Sequence, residues 1–367
     1  MHLTTDKKRL LKLLERCKGV VDTRAPVPVL CNVLVSTTAD GLRLSAQSLM
    51  QSVTGIVEAD VHKHGALLVD AARLTDRVKS MPDGELQLKS KDNELTICGV
   101  KNSRKFKLAT IPADEYPKFP APDESSKSFT IPSSILATLI DSTVSAISPD
   151  ETRVALSSLL LEFTADRIRA VSTDGHRAHI ADAKFDGAAR SSMLLPYRSV
   201  QQLKQIVGGK ETSVELCEFG NIVFFDVDSV RFGLRLTDAQ FPPYEQVIPK
   251  SHEGSAVVNR IALIASVQAI GNSVAKDNGA KFTIGSDLVQ LEASGFDEGE
   301  ATDTISAETS GDGVFGCSPK YMLDALHSTP SETVRVSFGG ELDPIGVEPA
   351  EKSDGFAVKC IVMPMRI

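Results

Sequence analysis

The sequence has no tryptophan, few aromatic residues and no long apolar run. Phe, Tyr and Trp together make up 5% of its 367 residues. No segment reaches the roughly 18 consecutive apolar residues that a membrane-spanning helix needs, and residues 1–6 lack the apolar stretch of a secretory signal peptide. We therefore expect a soluble, cytoplasmic protein that makes no contact with a membrane.

Cysteine pairs and histidines at metal-ligand spacing are also lacking. The six cysteines are scattered, with no Cys-x-x-Cys pair, which argues against a zinc site and against a disulfide framework. We expect no metal and no other cofactor. The net charge of −8 excludes a uniformly basic nucleic-acid binder, although it leaves room for a localised basic surface. With 42% hydrophobic residues, the chain is long enough to form two or three domains.

One order of elements occurs three times, at a period of about 125 residues. Each copy begins with an amphipathic helix, continues through two β-rich stretches to a second helix, and ends in a three-stranded meander. The apolar faces of the three first helices are Leu10, Leu13, Leu14 and Cys17; Leu136, Ile140, Val144 and Ile147; and Leu263, Val267, Ile270 and Val274. The second helices are predicted at 69–81, 196–207 and 319–327.

Two stretches rich in proline, serine and charge, 119–128 and 249–255, separate the copies. They divide the chain into three predicted domains, 1–125, 126–252 and 253–367. Each domain is predicted to be α+β, with two helices packed on one face of an antiparallel sheet. The other face of each helix then stays free.

The stretch 171–179, Val-Ser-Thr-Asp-Gly-His-Arg-Ala-His, brings a serine, an aspartate and two histidines together in sequence. A hydrolase that uses Ser172, Asp174 and His176 is one interpretation, but it needs a strained nucleophile turn and an oxyanion hole, and neither is visible. Asp-Gly between apolar runs is above all a turn signal. The equivalent stretches of the other two copies, Gln47-Ser48-Leu49-Met50 and Ser294-Gly295-Phe296-Asp297, contain no histidine and do not repeat the Thr-Asp-Gly-His sequence. We therefore predict a turn between two strands, which bears functional side chains in the middle copy alone.

Basic residues recur on the predicted free faces of the helices. In the first helix, Lys8, Lys12 and Arg16 follow one another every four residues, opposite the leucines. The other members of this set are Arg24 in the loop that follows, Arg73 and Lys79 on the second helix, and Arg198 and Lys204 on the second helix of the middle domain. Cations segregated in this way favour contact with phosphates without sequence readout. An ordinary solvated surface is the alternative.

The repeats and three short motifs together resemble a known family, the bacterial sliding clamps (the β subunit of DNA polymerase III). Thr-Asp-Gly-His-Arg at 173–177 is similar to that family's internal motif, Phe-Pro-Pro-Tyr at 241–244 to its Phe-Pro-x-Tyr turn, and the tail 362–367 to its closing signature. The resemblance covers the whole chain in order. It implies a non-catalytic processivity factor, in which two chains form a head-to-tail ring of six domains around duplex DNA, whatever its sequence.

In this family, DNA polymerase subunits and the clamp loader bind through short peptides with apolar and aromatic residues, which dock in one pocket. The resemblance implies that the pocket is lined by Leu156, Thr173, Gly175, His176, Arg177, Ala178, Pro242, Gln246 and Val247 of the middle domain, and by Val362, Met363, Pro364, Met365 and Arg366 of the tail. Met and Val would supply a deformable apolar floor. His176 and Arg177 would supply hydrogen-bond donors at the rim.

Some positions depart from the family's pattern. Ala178 stands where members commonly have leucine, and Gln246 where they have a basic residue. The smaller alanine predicts a wider pocket, in which the usual peptide binds with about 1–2 kcal/mol less apolar stabilisation. At the junction between chains, Phe106 and Leu108 match the family's apolar edge, whereas the opposite side falls on Gly271-Asn272, so we expect weaker association of the homodimer. A clamp paralogue with altered partner or inhibitor specificity is therefore the main alternative.

Overall fold

The computed structural model describes residues 1–22, 27–100, 103–123, 126–186, 191–209, 211–272, 279–295, 299–351, 353 and 355–366. The chain forms two compact units. One comprises Met1–Ser134 and Gln201–Leu236, and the other Ile135–Val200 and Thr237–Ile367. Each unit contains two antiparallel sheets. None of the helices within these ranges is long and apolar enough to cross a membrane.

The same elements recur in each third of the chain, as the sequence predicts. The first third contains β1 His2–Asp6, α1 Lys7–Val20, β2 Asn32–Thr38, β3 Gly41–Gln47, β4 Gln51–Val57, β5 Ala59–Lys63, β6 Ala66–Asp70, α2 Ala71–Lys79, β7 Glu85–Lys91, β8 Glu94–Gly99 and β9 Lys105–Ala109. The middle third contains β10 Lys127–Pro132, α3 Ser133–Thr143, β11 Ser158–Phe163, β12 Arg167–Thr173, β13 Arg177–Lys184, β14 Ser191–Pro196, α4 Tyr197–Val207, β15 Ser213–Phe219, β16 Ile222–Val227 and β17 Val230–Arg235. The last third contains β18 Gly254–Asn259, α5 Arg260–Gly271, β19 Ala280–Gly285, β20 Leu288–Gly295, β21 Gly299–Ser306, β22 Glu308–Ser310, β23 Gly313–Cys317, α6 Pro319–Ser328, β24 Thr333–Phe338, β25 Ile345–Pro349 and β26 Phe356–Val362.

Aspartate side chains cap the N-termini of the two helices in the first third of the chain. The carboxylate of Asp6 accepts a hydrogen bond from the backbone N of Arg9 at 3.0 Å, and that of Asp70 from the backbone N of Arg73 at 2.7 Å. Each of these caps satisfies a backbone donor that the first turn of a helix leaves free. The helix predicted at 69–81 begins two residues later than expected, because Asp70 is its cap.

The predicted apolar faces of the first helices are buried, with two differences. In α1, the buried residues include all four that the sequence predicts, namely Leu10, Leu13, Leu14 and Cys17. The middle helix α3 ends at Thr143, so Val144 and Ile147 of its predicted face lie beyond it, and Val144 begins a short 3-10 turn. The hydroxyl of Thr143 donates to the carbonyl of Leu139 at 2.7 Å in the last turn. Val274, predicted for α5, lies outside the described residues.

A strand precedes the first helix of every third, and the sequence interpretation missed it. These strands are β1, β10 and β18, and the last two begin inside the predicted linkers 119–128 and 249–255. Each pairs antiparallel with the strand after the second helix of its own third, β7, β15 and β24 respectively. A short strand beside proline and charged residues has too little alternation to be recognised without its partner.

Each unit holds one long sheet and one short sheet. In the first unit, the strand orders are β10-β15-β16-β17-β4-β3-β2-β6 and β5-β1-β7-β8-β9. In the second unit, they are β14-β11-β12-β13-β26-β25-β24-β18-β22 and β21-β20-β19-β23. The long sheets cross the predicted domain boundaries, because Phe232 of β17 pairs with Val53 of β4, and Ala178 of β13 pairs with Ile361 of β26. Strands from two successive thirds therefore share one ladder of backbone hydrogen bonds.

Candidate functional site

A tight turn joins β12 to β13, as the Asp-Gly signal predicts. β12 ends at Thr173 and β13 begins at Arg177. Gly175 has φ +92°, in the left-handed region, where a side chain would be strained and its Cβ would lie 3.1 Å from Nη2 of Arg153. The Asp174 carboxylate accepts from the backbone N of His176 at 2.9 Å and of Arg177 at 3.1 Å. The turn is thus fixed by its own aspartate.

The hydrolase interpretation of this turn is wrong. Ser172 is fully buried, and its hydroxyl donates to the carbonyl of Thr143. The Asp174 carboxylate is occupied by two backbone donors and by the Arg177 guanidinium. His176 is exposed and stacks on Tyr321, with ring centres 6.2 Å apart. The three groups therefore do not form the nucleophile, base and orienting acid that acyl transfer needs.

An apolar cavity of about 200 Å³ opens beside this turn, within the second unit. Its floor is a cross-strand row in which Thr173 pairs with Ala178 and Ala178 pairs with Ile361. Around this row, the cavity is lined by Leu156, Gly175, Arg177, Pro242, Pro243, Tyr244, Val247 and Met363. The lining is almost entirely carbon, which suits an apolar or aromatic side chain.

The cavity brings together eight of the predicted pocket residues, Leu156, Thr173, Gly175, Arg177, Ala178, Pro242, Val247 and Met363. Val362 does not line it. Side chains alternate along a strand, so Ile361 and Met363 face the cavity while Val362 is buried on the other side of β26. The predicted residues His176, Gln246, Pro364, Met365 and Arg366 also lie outside the lining.

The sequence interpretation missed Pro243, Tyr244 and Ile361 as lining residues. For Ile361, the two-residue period of a strand was the available signal. If Met363 faces the cavity, the side chain two residues earlier, Ile361, faces it too, and Val362 between them faces the opposite side. For Pro243 and Tyr244, no signal beyond their place in the Phe-Pro-Pro-Tyr motif was available. The tail continues past β26, where the backbone N of Met363 donates to the carbonyl of His176 at 2.9 Å and that of Met365 to Gly316 at 2.7 Å.

Arg177 is not a free donor at the rim, contrary to expectation. Its side chain is 6% exposed, and its guanidinium is bound on all sides within the fold. Nε donates to Asp174 at 3.1 Å, Nη1 to Asp324 and Nη2 to the carbonyl of Ser145. A buried cation needs such partners, because leaving it unpaired costs several kcal/mol (about 3–5 by removal of one partner). Arg177 therefore builds the pocket and does not offer its donors to a ligand.

A polar network lies beneath Tyr244, one of the wall residues. The Tyr244 hydroxyl donates to Oε2 of Glu162 at 2.8 Å and accepts from Nη1 of Arg169 at 3.3 Å. Arg169 in turn binds Asp182 through two parallel hydrogen bonds of 2.7 and 2.9 Å. Burial, reinforced by Glu162, raises the pKa of Tyr244, so the hydroxyl keeps its proton and can donate. The hydrogen bonds to Asp182 raise the pKa of Arg169.

Most of the predicted DNA-contacting residues have exposed side chains, namely Lys8, Lys12, Arg73, Lys79, Arg198 and Lys204. Arg16 is half-buried, and burial lowers its pKa against the opposing effect of Asp228. Arg198 pairs with Glu151 at 2.8 Å, and both side chains are well exposed. Arg24 lies outside the described residues. The remaining basic residues of this set are exposed on helix surfaces, where a polyanion can reach them, namely Lys8, Lys12, Arg73, Lys79 and Lys204.

Phe106 and Leu108 lie on β9, one of the two edge strands of the five-stranded sheet. Phe106 is half-buried, with the Arg77 guanidinium 5.2 Å from its ring centre, and Leu108 is buried. Gly271 is the last residue of α5, and a Cβ there would lie 3.0 Å from Pro319. Asn272 caps the helix, its backbone N donating to Gln268 at 3.0 Å.

Comparison with known proteins agrees with this architecture. The three domains of the DNA polymerase III beta subunit match the chain in order: the N-terminal domain at residues 1–120, the central domain at 130–243 and the C-terminal domain at 245–366. The Beta sliding clamp of Pseudomonas aeruginosa is 28% identical over 375 residues, and that of Escherichia coli K12 26% over 371, each alignment covering 100% of both chains. The crystal structure of the P. aeruginosa sliding clamp bound to griselimycin superposes with a TM-score of 0.91, at 28% identity and 100% coverage of both chains.

These matches span nearly the whole chain and reproduce its threefold repetition. The chain belongs to the family of the DNA polymerase III beta subunit, the sliding clamps. It is accordingly a non-catalytic clamp of DNA replication, built from three clamp domains of the predicted α+β fold.

Proposed function

We propose that two copies of this chain close head to tail into a ring that encircles duplex DNA. The ring tethers DNA polymerase subunits, the clamp loader and other replication or repair proteins through peptides bound in the apolar cavity. Its domains are 1–125, 126–252 and 253–367, and it acts in the cytoplasm, at the nucleoid. The observation that carries the proposal is the pairing of strand edges between successive thirds of the chain.

Each third supplies two half-sheets of constant strand order. The first half-sheets are β1-β7-β8-β9, β10-β15-β16-β17 and β18-β24-β25-β26. The second half-sheets are β6-β2-β3-β4, β14-β11-β12-β13 and β23-β19-β20-β21. Within the chain, β4 of the first third pairs with β17 of the middle third, and β13 of the middle third pairs with β26 of the last third. In both cases the last strand of a second half-sheet pairs with the last strand of the first half-sheet in the following third.

By the same rule, β21 should join the β9 of a following domain. Neither strand has a neighbour on its outer side among the residues that the structure describes. A free strand edge is a row of unpaired backbone groups that proteins cover or pair. A second copy can satisfy both edges at once, because its own β9 and β21 meet the β21 and β9 of the first chain. Phe106 and Leu108 would then lie at each junction, on β9.

The basic residues on the helices fit the proposed DNA contact. Lys8 and Lys12 on α1 and Arg73 and Lys79 on α2 have exposed side chains. Lysine and arginine on a helix surface bind phosphates by charge and release counterions, without reading the base sequence. A clamp that slides needs this kind of contact, since base-specific hydrogen bonds would hold it at one place.

The cavity beside the 173–177 turn fits the proposed peptide contact. Its carbon-rich lining and volume of about 200 Å³ suit aliphatic and aromatic side chains of an extended segment. Ala178 on the floor leaves more room than the leucine common in the family. This observation favours a second possibility, a clamp paralogue whose partners or inhibitors differ from the usual ones.

Retention on circular DNA tests the encircling function. The clamp, loaded on a nicked circle by the clamp loader of the same cell and ATP, should stay bound through gel filtration. It should leave when a restriction enzyme linearises the circle, because a ring without base contacts slides off an open end. Retention that is unchanged after linearisation would show that the protein holds DNA by direct contact and does not encircle it.

A further inference from the structure

Three cross-strand rows succeed one another on the face of the sheet that carries the cavity. The first is the cavity floor, Thr173 and Ala178 with Ile361. The second row is apolar and contains Leu194, Leu160, Val171 and Ile180. The third row is charged and contains Glu162, Arg169 and Asp182. Steps of two residues along each strand keep all three rows on one face.

Tyr244 spans the second and third rows. Its ring packs in the apolar cluster formed by the second row, together with Phe241 and Ile248 from its own segment. Its hydroxyl reaches the third row, 2.8 Å from Glu162 and 3.3 Å from Arg169. The polar end of the side chain is therefore directed into the charged row, while the ring borders the cavity.

We propose that Glu162 and Arg169 are positioning residues of the peptide pocket, which they serve by holding the Tyr244 hydroxyl. This inference rests on the proposed peptide-binding function. Pro242, Pro243 and Val247 line the same wall and lie within three residues of Tyr244. Because the Tyr244 hydroxyl is held in place, the distance between this wall and the cavity floor is fixed. The two hydrogen bonds also keep the polar hydroxyl away from the apolar cavity. Asp182 holds Arg169 through two hydrogen bonds and so completes the network.

The first domain offers a matched control. Tyr116 directly follows the short 3-10 turn after the first meander, and its hydroxyl donates a partly buried hydrogen bond to the carbonyl of Asn32 at 3.4 Å. It belongs to the other compact unit and does not line the cavity. Tyr116→Phe thus removes the same atom from a similar turn without touching the proposed pocket wall.

The test measures binding of a fluorescein-labelled decapeptide ending in Leu-Leu-Phe by fluorescence anisotropy. Tyr244→Phe should weaken binding about tenfold, because a wall that is no longer held by this hydrogen bond has to be ordered at the expense of peptide affinity. Tyr116→Phe should stay within about twofold. Glu162→Ala should match Tyr244→Phe, and Glu162→Gln should restore most of the affinity, because its amide oxygen still accepts. The double variant Tyr244→Phe/Glu162→Ala should be no weaker than either single one, since both break the same bond.

Several results would overturn the inference. Affinity of Tyr244→Phe within twofold of the unchanged protein would show that the hydroxyl does not position the wall, and so would fully additive effects in the double variant. Equal loss with Glu162→Gln and Glu162→Ala would exclude the hydrogen bond as the cause. If Tyr244→Phe fails to fold, the comparison of Glu162→Gln with Glu162→Ala decides alone. Absence of peptide binding by the unchanged protein would instead contradict the proposed function of the cavity.

Discussion

The guanidinium of Arg177 lies 4.6 Å from the ring centre of Tyr321, which belongs to α6 of the last third of the chain. Arg177 itself begins β13, directly after the turn beside the cavity. The same guanidinium binds Asp324, one helical turn further along α6. The turn and α6 are thus fixed to each other by one buried side chain.

Removal of Asp324 should therefore loosen both the fold and the pocket. Asp324→Ala leaves the buried Arg177 cation with Asp174 as its one carboxylate partner, so we expect the free energy of unfolding to fall by about 2–3 kcal/mol, less than for a buried cation left with no carboxylate. Urea denaturation followed by circular dichroism measures this change. Lys281→Ala breaks a pair with Glu292 in the same unit, in which the side chains are 43% and 36% exposed, and should cost less than about 1 kcal/mol. If the free energy of unfolding falls equally in the two variants, the burial of Arg177 does not increase the contribution of its ion pair to stability.

Deletion of 363–367 should abolish binding of the Leu-Leu-Phe decapeptide, because it removes the Met363 wall of the cavity. The deletion leaves Val362 and the pairing of β26 with β13 in place, so the oligomeric state should not change. Anisotropy and gel filtration give the two readouts. Peptide affinity that survives the deletion would remove the tail from the site.

Charge reversal on α1 should weaken DNA binding and flatten its dependence on salt. For Lys12→Glu, the slope of log K against log salt should fall by about one for each phosphate that the variant no longer neutralises. Filter binding at several salt concentrations measures the slope. Lys91→Glu, at the exposed end of β7, reverses the same charge away from the helices and serves as the control. An unchanged slope for Lys12→Glu would exclude this face from binding to DNA.

Stability should decrease in acid because of His179. Burial, with Arg177 nearby, lowers the pKa of this fully buried histidine to about 3, whereas it is about 6.5 in an unfolded chain. The unfolded state therefore binds one proton more between these values, and the folded state loses stability as the pH falls below about 6.5.

Between pH 7 and pH 5, His179 should account for about 2 kcal/mol of this loss. The glutamine of His179→Gln stays neutral at both pH values. Measured by urea denaturation, the free energy of unfolding of this variant should therefore fall by about 2 kcal/mol less between pH 7 and pH 5 than that of the unchanged protein. His64→Gln, which makes the same change at an exposed histidine, serves as the control. If the free energy of unfolding depends on pH equally in His179→Gln and in the unchanged protein, His179 is not held neutral in the folded state.

Local patterns were sufficient for much of the fold. The leucine stripe of α1 and the Asp174-Gly175 turn depend on neighbours within a few residues, so the sequence predicts them well. The choice between Ile361 and Val362 as a lining residue depends on how β26 faces β13, which is set by partners far apart in sequence. The capture of Arg177 by Asp324 has the same origin, because only tertiary packing brings α6 to the turn. Sequence spacing has no signal for the contact between Arg177 and Asp324, whereas the two-residue period of β26 selects Ile361 over Val362 once Met363 is known to face the cavity.

The mass of the particle in solution tests the proposed ring most directly. At micromolar concentration, sedimentation equilibrium should give twice the chain mass of 39.4 kDa, with no larger species, because two chains satisfy the free edges of β9 and β21 completely. A particle of one chain would show that these edges do not join. A series of growing assemblies would show that they join without closing, and either result would contradict a ring of two chains.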